Sequence, residues 1–331
     1  MNHWWTMVGE FLIAAGILAA AARYAFSQTK GRGISIIIPF RAPDNDDQRA
    51  KNFEWLKRYW KAQLPGAEII HGEDNETCRP FSKSVAVNNG VCKSHGDVLV
   101  IVDADGYIPA DSIVYCAEEI REAEARDHRL WFVPYRRFFR LTQEASKWLL
   151  DSKPETPFQF PTPVPSMMAL GDNDPTVGHW YGAMIQVCSR NAFDIVGGWD
   201  ERFCGWGGED AAALRSMDTL YALHKTLPGQ VVHVWHPQFG PQGKATQVHW
   251  SERMWEGQDG PGANTELVGR YYAAWRNVPR MRKLVDEAME WARWHRHHGH
   301  HEHEHHEHHH KHHEHHHHHK HPHHHHHPPS V

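Results

Sequence analysis

The chain has 331 residues, with 35 Lys+Arg against 40 Asp+Glu and a formal net charge of −5. That imbalance is slight for the length, and no Lys/Arg stripe runs along the chain, which argues against a nucleic-acid partner. Five cysteines (Cys78, Cys92, Cys116, Cys188, Cys204) with no Cys-x-x-Cys spacing argue against a disulfide framework and point to reduced thiols in a cytosolic domain.

Residues 1–30 carry the run FLIAAGILAAAA, Phe11 to Ala22. As a helix it spans only ~18 Å at ~1.5 Å per residue, short of the ~30 Å hydrocarbon core of a bilayer. Extending it back to Trp4 nearly closes the gap at the cost of including Glu10, and Trp4 and Trp5 suit an interfacial belt. No Lys or Arg precedes the run, which fits a secretory leader poorly, whereas Arg23, Lys30 and Arg32 follow it and would set that side in the cytoplasm. The reading is a membrane anchor through residues 4–26 ahead of a cytoplasmic catalytic domain. A helix that docks on the domain, or on a partner, is the alternative.

ISIIIPF, Ile34 to Phe40, reads as a fully buried strand of a parallel sheet. Residues 46–62 read as a helix with Phe53, Leu56 and Trp60 on one face, and Glu68 to His71 as a second strand closed by Gly72-Glu73-Asp74. Ser82 to Cys92 reads as a helix and Val98 to Val102 as a strand. Asp111 is placed to cap a helix that buries Ile113, Cys116, Ala117 and Ile120. Leu130 to Pro134 is a further strand. This alternation predicts a single α/β domain over residues 31–294, built on a doubly wound, mostly parallel sheet. Ligands of such sheets bind at the carboxyl ends of the strands. Pro39-Phe40-Arg41, Glu73-Asp74 and Asp103/Asp105 all lie there.

Residues 151–178 hold six prolines and little periodicity, the mark of a long functional or disordered loop. Trp180 to Ser189 and Val231 to Trp235 read as strands. Residues 266–294 read as helical, with Met281, Leu284, Val285, Ala288 and Ala292 as a packing stripe. At or beyond His295 lie 24 of the 33 histidines, broken by Glu, Lys and Pro. Residues 295–331 have little to bury and are expected to be disordered; they suit transition-metal ions rather than catalysis.

Asp-x-Asp occurs at Asp44/Asp46, Asp103/Asp105 and Asp172/Asp174. Only the middle pair directly follows an apolar strand, where two converging carboxylates suit a hard divalent ion completed by phosphate oxygens. The plain alternative is a solvated turn. VGGWDERFCGWGGEDAAAL, Val196 to Leu214, places paired glycines around Trp199 and Trp206. Glycine admits a ligand close to the backbone, and Trp offers a flat face to a sugar. Glu209 and Asp210 then open a helix, where acids are often no more than dipole partners. His233 and His236 could join the aspartates at a metal if Pro237 bends the chain.

Ile36-Ile37-Ile38-Pro39-Phe40-Arg41, Val102-Asp103-Ala104-Asp105, Gly205-Trp206-Gly207-Gly208-Glu209-Asp210 and His233-Val234-Trp235-His236, in that order, resemble the metal-dependent GT-A glycosyltransferases. The branch they resemble holds the beta-1,4-galactosyltransferases, the polypeptide N-acetylgalactosaminyltransferases and related bacterial and viral enzymes. The resemblance implies a GT-A type, Rossmann-like fold and transfer from a nucleotide-diphosphate sugar, UDP-linked, to a glycan, lipid or protein acceptor. It implies a donor pocket of Pro39, Phe40, Arg41, Glu73, Asp74, Phe81, Lys83, Asp103, Ala104, Trp206, Gly207 and Gly208. It further implies Mn²⁺ or another divalent cation at Asp105, His236 and, less firmly placed, His233. Glu209 would hold the acceptor and Asp210 would act as the base of an inverting transfer. Lys83 stands where those enzymes have arginine, and Ala211 where the galactosyltransferases have another acid. Two other classes share some of these features: a nucleotide-sugar-forming nucleotidyltransferase, whose Gly-rich basic loop after the first strand is missing here, and a non-catalytic carbohydrate- or metal-binding protein.

Overall fold

A computed structural model describes residues 29–41, 47–74, 81–155, 168–172, 184–205, 207–237 and 263–315, with backbone alone at 168–172, 263 and 297–315. The hydrophobic run 4–26, Asp44/Asp46, Cys78, Trp180, Trp206, residues 316–331 and most of the 151–178 loop lie outside those residues. Among the described residues no helix is long and apolar enough to cross a membrane.

In chain order the elements are β1 (Ile34–Pro39), α1 (Asp47–Gln63), β2 (Glu68–Gly72), α2 (Lys83–Lys93), β3 (Val98–Val102), β4 (Gly106–Tyr107) and α3 (Ala110–Ala125). They continue with β5 (Phe132–Val133), β6 (Arg137–Arg140), α4 (Gln143–Asp151), β7 (Met168–Asp172), β8 (Ile185–Ser189), α5 (Arg190–Ile195) and α6 (Glu209–Leu220). The last are β9 (Lys225–Thr226), β10 (Gln230–His233), α7 (Ala263–Ala274) and α8 (Val278–His315).

The main sheet runs β2-β1-β3-β8-β5-β9. β1 pairs in parallel with both β2 and β3, and every residue of β1 and β3 is buried, as their apolar sequences, broken only at Ser35, require. The fold is α/β with a mixed, mostly parallel sheet. One strand departs from the simple alternation. β8 enters between β3 and β5 and runs antiparallel to both, so the Leu130–Pro134 segment does not neighbour β3. Burial on both faces makes IQVCS apolar whichever way it runs, so its pattern carries no direction.

A second sheet, β4-β10-β6-β7, was not predicted. β4 is two residues long, and RFFR in β6 alternates too briefly to mark a strand. This small sheet carries the histidines.

α1 buries Phe53, Leu56 and Trp60 as expected, and α3 buries Ile113, Cys116, Ala117 and Ile120. Asp111 does not cap α3. Pro109 occupies the cap, and Asp111 lies in the first turn, where it pairs with Lys30 at 2.6 Å. Cys92 is exposed, while Cys116, Cys188 and Cys204 are buried free thiols. The stripe Met281, Leu284, Val285, Ala288 and Ala292 is buried. α8 then continues to His315, into the stretch expected to be disordered. A helix already nucleated by a docked face adds further residues at little cost, and no proline interrupts it before Pro322.

Candidate functional site

At the end of β3 the chain turns. Asp103 N donates to Met184 O at 2.9 Å, and Gly106 N donates to Asp103 O at 3.1 Å. The turn interrupts strand alternation, and the two aspartates take different partners. Asp103 Oδ1 meets Lys83 Nζ at 2.5 Å. Asp105 Oδ2 lies 3.1 Å from His236 Nε2 and 3.7 Å from His233 Nε2.

Backbone bonding explains the second meeting. β4 pairs antiparallel with β10, placing His233 opposite Gly106, and Val234 N donates to Asp105 O at 2.6 Å. Past β10 the chain leaves the strand. Trp235 N donates to Ser146 Oγ (2.7 Å), and Trp235 O accepts from Asn52 Nδ2 (3.1 Å). Pinned there, the chain brings His236 back beside His233, with ring centroids 5.1 Å apart. One ligand atom from each of Asp105, His233 and His236 lies within 4.8 Å of the others, and the three side chains are at most 13% exposed.

The hydrogen bonding of His236 tests whether a cation fits. Its Nδ1 lies 2.8 Å from Pro237 O. A carbonyl only accepts, so Nδ1 carries the proton and, in the neutral ring, the Nε2 lone pair faces the Asp105 carboxylate. Two acceptors that close require a positive species between them, either a second proton or a metal ion. His233 Nδ1 is buried with no hydrogen-bond partner, and burial pushes that ring down to about 3, so it stays neutral as a metal ligand must. Burial works against the charge of Asp105, but any positive charge carried at His233 or His236, the His236 hydrogen bond and the Arg49 cation outweigh it and hold the carboxyl well below its usual range. One carboxylate and two imidazoles suit Mn²⁺ or Zn²⁺ better than Mg²⁺ or Ca²⁺.

The other group gathers on Lys83, in the first turn of α2. Its Nζ lies 3.9 Å from Glu209 Oε1 as well as against Asp103. Burial alone would discharge this lysine, but Asp103, Glu209 and Asp210 around it hold it above its ordinary range. Burial, with Asp105 nearby, pushes Asp103 up to about 6 against the pull of Lys83. Burial and the adjacent Asp210 push Glu209 up to about 7.

Glu209 and Asp210 begin α6, whose cap is Gly208 at φ 95°. That left-handed backbone turns the loop tightly enough for Gly207 N to donate to Glu209 Oε2 at 3.1 Å, while Ala211 N donates to Asp210 Oδ1 at 2.7 Å. Trp199, expected to offer a face to a sugar, is 4% exposed, and its ring lies 5.4 Å from Lys83 Nζ. It walls the lysine cluster instead, because Asn88 binds its backbone at both N and O and draws it into the core. A cavity of about 240 Å³ between the 197–201 segment, α6 and α8 is lined by Gly197, Gly198 and Trp199 but by none of the residues of the histidine–aspartate group, the lysine cluster or the predicted donor pocket.

The predicted donor pocket divides. Arg41 pairs with buried Asp74 at 3.1 Å and covers the Phe81 ring at 5.7 Å, and Asp74 Oδ2 accepts from Ser82 N at 2.9 Å. This group joins the glycine loop through Gly205 N to Phe81 O (3.2 Å) and Ser82 Oγ to Phe203 O (2.9 Å). Pro39 is buried, and Phe40 stacks on Phe53 at 4.3 Å; both serve the core. Glu73 is exposed beside His71 and Lys93, away from the lysine cluster's partners. Ala104 is partly exposed in the turn, and Trp206 lies outside the described residues.

Three residues went unread in the sequence. Arg49 and Arg140 lie within electrostatic reach of Asp105 and His233. Tyr135, fully buried, accepts from Met184 N at 3.0 Å and feels Asp103, Asp210 and Lys83. No local pattern marks any of them.

Compared with protein-family models and with curated proteins, the sequence matches none. Among solved structures the chain is similar to the catalytic domain of Drosophila beta1,4-galactosyltransferase 7 in complex with xylobiose, at TM-score 0.35 and 13% identity over 72% of this chain and 79% of that one. A mutant of that enzyme, in complex with manganese, UDP-Gal and xylobiose, gives TM-score 0.33 and 14% identity over 71% and 78%. The mannosyltransferase PcManGT of Pyrobaculum calidifontis, in complex with GDP-Man and Mn²⁺, gives 0.38 and 12% over 80% and 76%.

Proposed function

We propose that this chain is a metal-dependent glycosyltransferase that moves a sugar from a nucleotide-diphosphate sugar to an acceptor hydroxyl. One observation carries the reading. A carboxylate and two imidazoles placed to share a metal cation adjoin a lysine-centred cluster holding Glu209 and Asp210, and Asp103 links the two. A diphosphate donor needs the first, and an acceptor hydroxyl needs the second.

Asp105, His233 and His236 would hold Mn²⁺ or another divalent cation, which when bound supplies Lewis-acid stabilisation of the departing diphosphate. The remaining work falls to the chain's own groups. Asp210 takes the proton of the acceptor hydroxyl at a carboxylate oxygen as that oxygen bonds to the anomeric carbon. The bond from that carbon to the diphosphate breaks, and its electron pair leaves with the diphosphate. Attack from the face opposite the leaving group inverts the configuration. Glu209, raised above its ordinary range by burial and Asp210, can donate as well as accept when it meets acceptor hydroxyls. Lys83 keeps Asp103 in place, and the motif resemblance makes the donor UDP-linked.

The test is nucleoside diphosphate release from a panel of nucleotide sugars with Mn²⁺, with and without sugar acceptors. Asp210→Asn is expected to preserve donor binding and lower turnover by roughly 10²-fold or more. Asp105→Ala is expected to lose Mn²⁺-dependent donor binding in titration calorimetry. Pyrophosphate exchange in place of diphosphate release would mark a nucleotidyltransferase, and silence across the panel a binding protein.

A further inference from the structure

Arg140 closes β6, and the parallel pairing of β6 with β10 sets it opposite His233. Residues paired across neighbouring strands project to the same face, so Arg140 and the metal-ligating histidine share one side of the small sheet. Phe138, two residues earlier, confirms the face: its ring lies 5.8 Å from that of His233. The Arg140 Nε is shut off from solvent and has no hydrogen-bond partner, and among the described residues no carboxylate pairs with the guanidinium. Arg49 differs, since it makes contacts of its own. Burial lowers Arg140 from the usual guanidinium range while Asp105 opposes that loss.

A half-buried guanidinium whose Nε is shut off from water without a partner costs stability unless something completes it. The charges nearby say what would. One ionised carboxylate and two neutral imidazoles leave a divalent cation with net positive charge, and Arg140 adds to it. Further cations are excluded, and an anion rich in acceptor oxygens fits. We propose that Arg140 binds the diphosphate of the donor, as a planar fork across from the metal triad; the assignment rests on the glycosyltransferase reading above. Arginine suits phosphate because its paired donors match two oxygens at once.

The experiment is calorimetric titration of the full chain with Mn²⁺ alone, and then of the Mn²⁺-equilibrated chain with inorganic pyrophosphate. Asp105→Ala serves as the blank for metal taken up by the histidine-rich segment. The wild type is expected to bind pyrophosphate only with Mn²⁺. Arg140→Met is expected to bind it roughly 10- to 100-fold more weakly, yet to hold Mn²⁺ alone as tightly or more tightly, because a repelling cation is gone. Its metal-free thermal midpoint should equal or exceed that of the wild type, and Arg140→Lys should fall between the two in pyrophosphate affinity. A purely structural role would weaken metal and pyrophosphate together and lower the midpoint, and that result overturns the assignment. Unchanged pyrophosphate affinity in Arg140→Met also overturns it and leaves the glycosyltransferase reading standing. A wild type that takes up Mn²⁺ and ignores pyrophosphate overturns both.

Discussion

Glu209 sits 10% exposed between a lysine and another carboxylate. Its folded value near 7 stands above the ordinary 4.5 because burial and Asp210 disfavour the charge. Between those two values the unfolded chain gives up its proton while the folded chain keeps it, so this group's contribution to stability falls as pH rises through that window and levels off above 7. Glu209→Gln keeps the neutral shape and removes the titration. The variant is therefore expected to gain thermal midpoint relative to the wild type as pH goes from 5 to 8; a constant gap would show that Glu209 ionises freely. At this scale much of the site was legible. Asp105, His233, His236, Glu209 and Asp210 each stand in a short motif whose residue types have few structural uses. The placement of Arg140 and Tyr135 was not legible, because it comes from the strands that fall beside them. Nor did the sequence show that Phe40, at a strand's end, turns inward and stacks on Phe53.

At the scale of single elements, the α6 N-terminus depends on Gly208. A Cβ there would lie 3.0 Å from Phe203 Cε1 and 3.1 Å from Val268 Cβ, on a backbone at φ 95°. Gly208→Ala is expected to cost about 1–2 kcal/mol for the left-handed conformation alone, read from denaturant midpoints. It should also lower turnover by displacing the Gly207 N to Glu209 bond. A fully active variant of unchanged stability would contradict this account of the loop. The long buried strands β1 and β3 announced themselves through length and β-branching. β4 and β9, two residues each, and β6, only four, had no periodicity to read. The sheet that brings the histidines to Asp105 was consequently invisible in the sequence, although the histidines were not.

Across the whole molecule, α8 closes the domain with an apolar stripe that the sequence displayed plainly. Gly197 explains the close fit, since a Cβ there would lie 2.6 Å from Met289 Sδ and 2.9 Å from Val285 Cγ1. A chain ending at Arg296 is expected to keep its stability within about 0.5 kcal/mol. One ending at Asn277 should lose several, about 1.5–3 kcal/mol for each of Met281, Leu284 and Val285. Equal denaturation midpoints for the two would refute the docking role of α8. Overall strand arrangement was only half legible: the parallel pairing of β1 with β2 and β3 agrees with the alternation, whereas the reversed β8 needed the three-dimensional neighbours to be seen.

The bond from Val234 N to Asp105 O closes a circuit between chain positions made far apart in time. While the polypeptide is being synthesised, the parallel strands and the first aspartates emerge long before β10. Until Val234 arrives, the nascent protein has Asp105 without the two imidazoles that face it in the finished chain, so a chain released from the middle third would lack the carboxylate–imidazole group altogether.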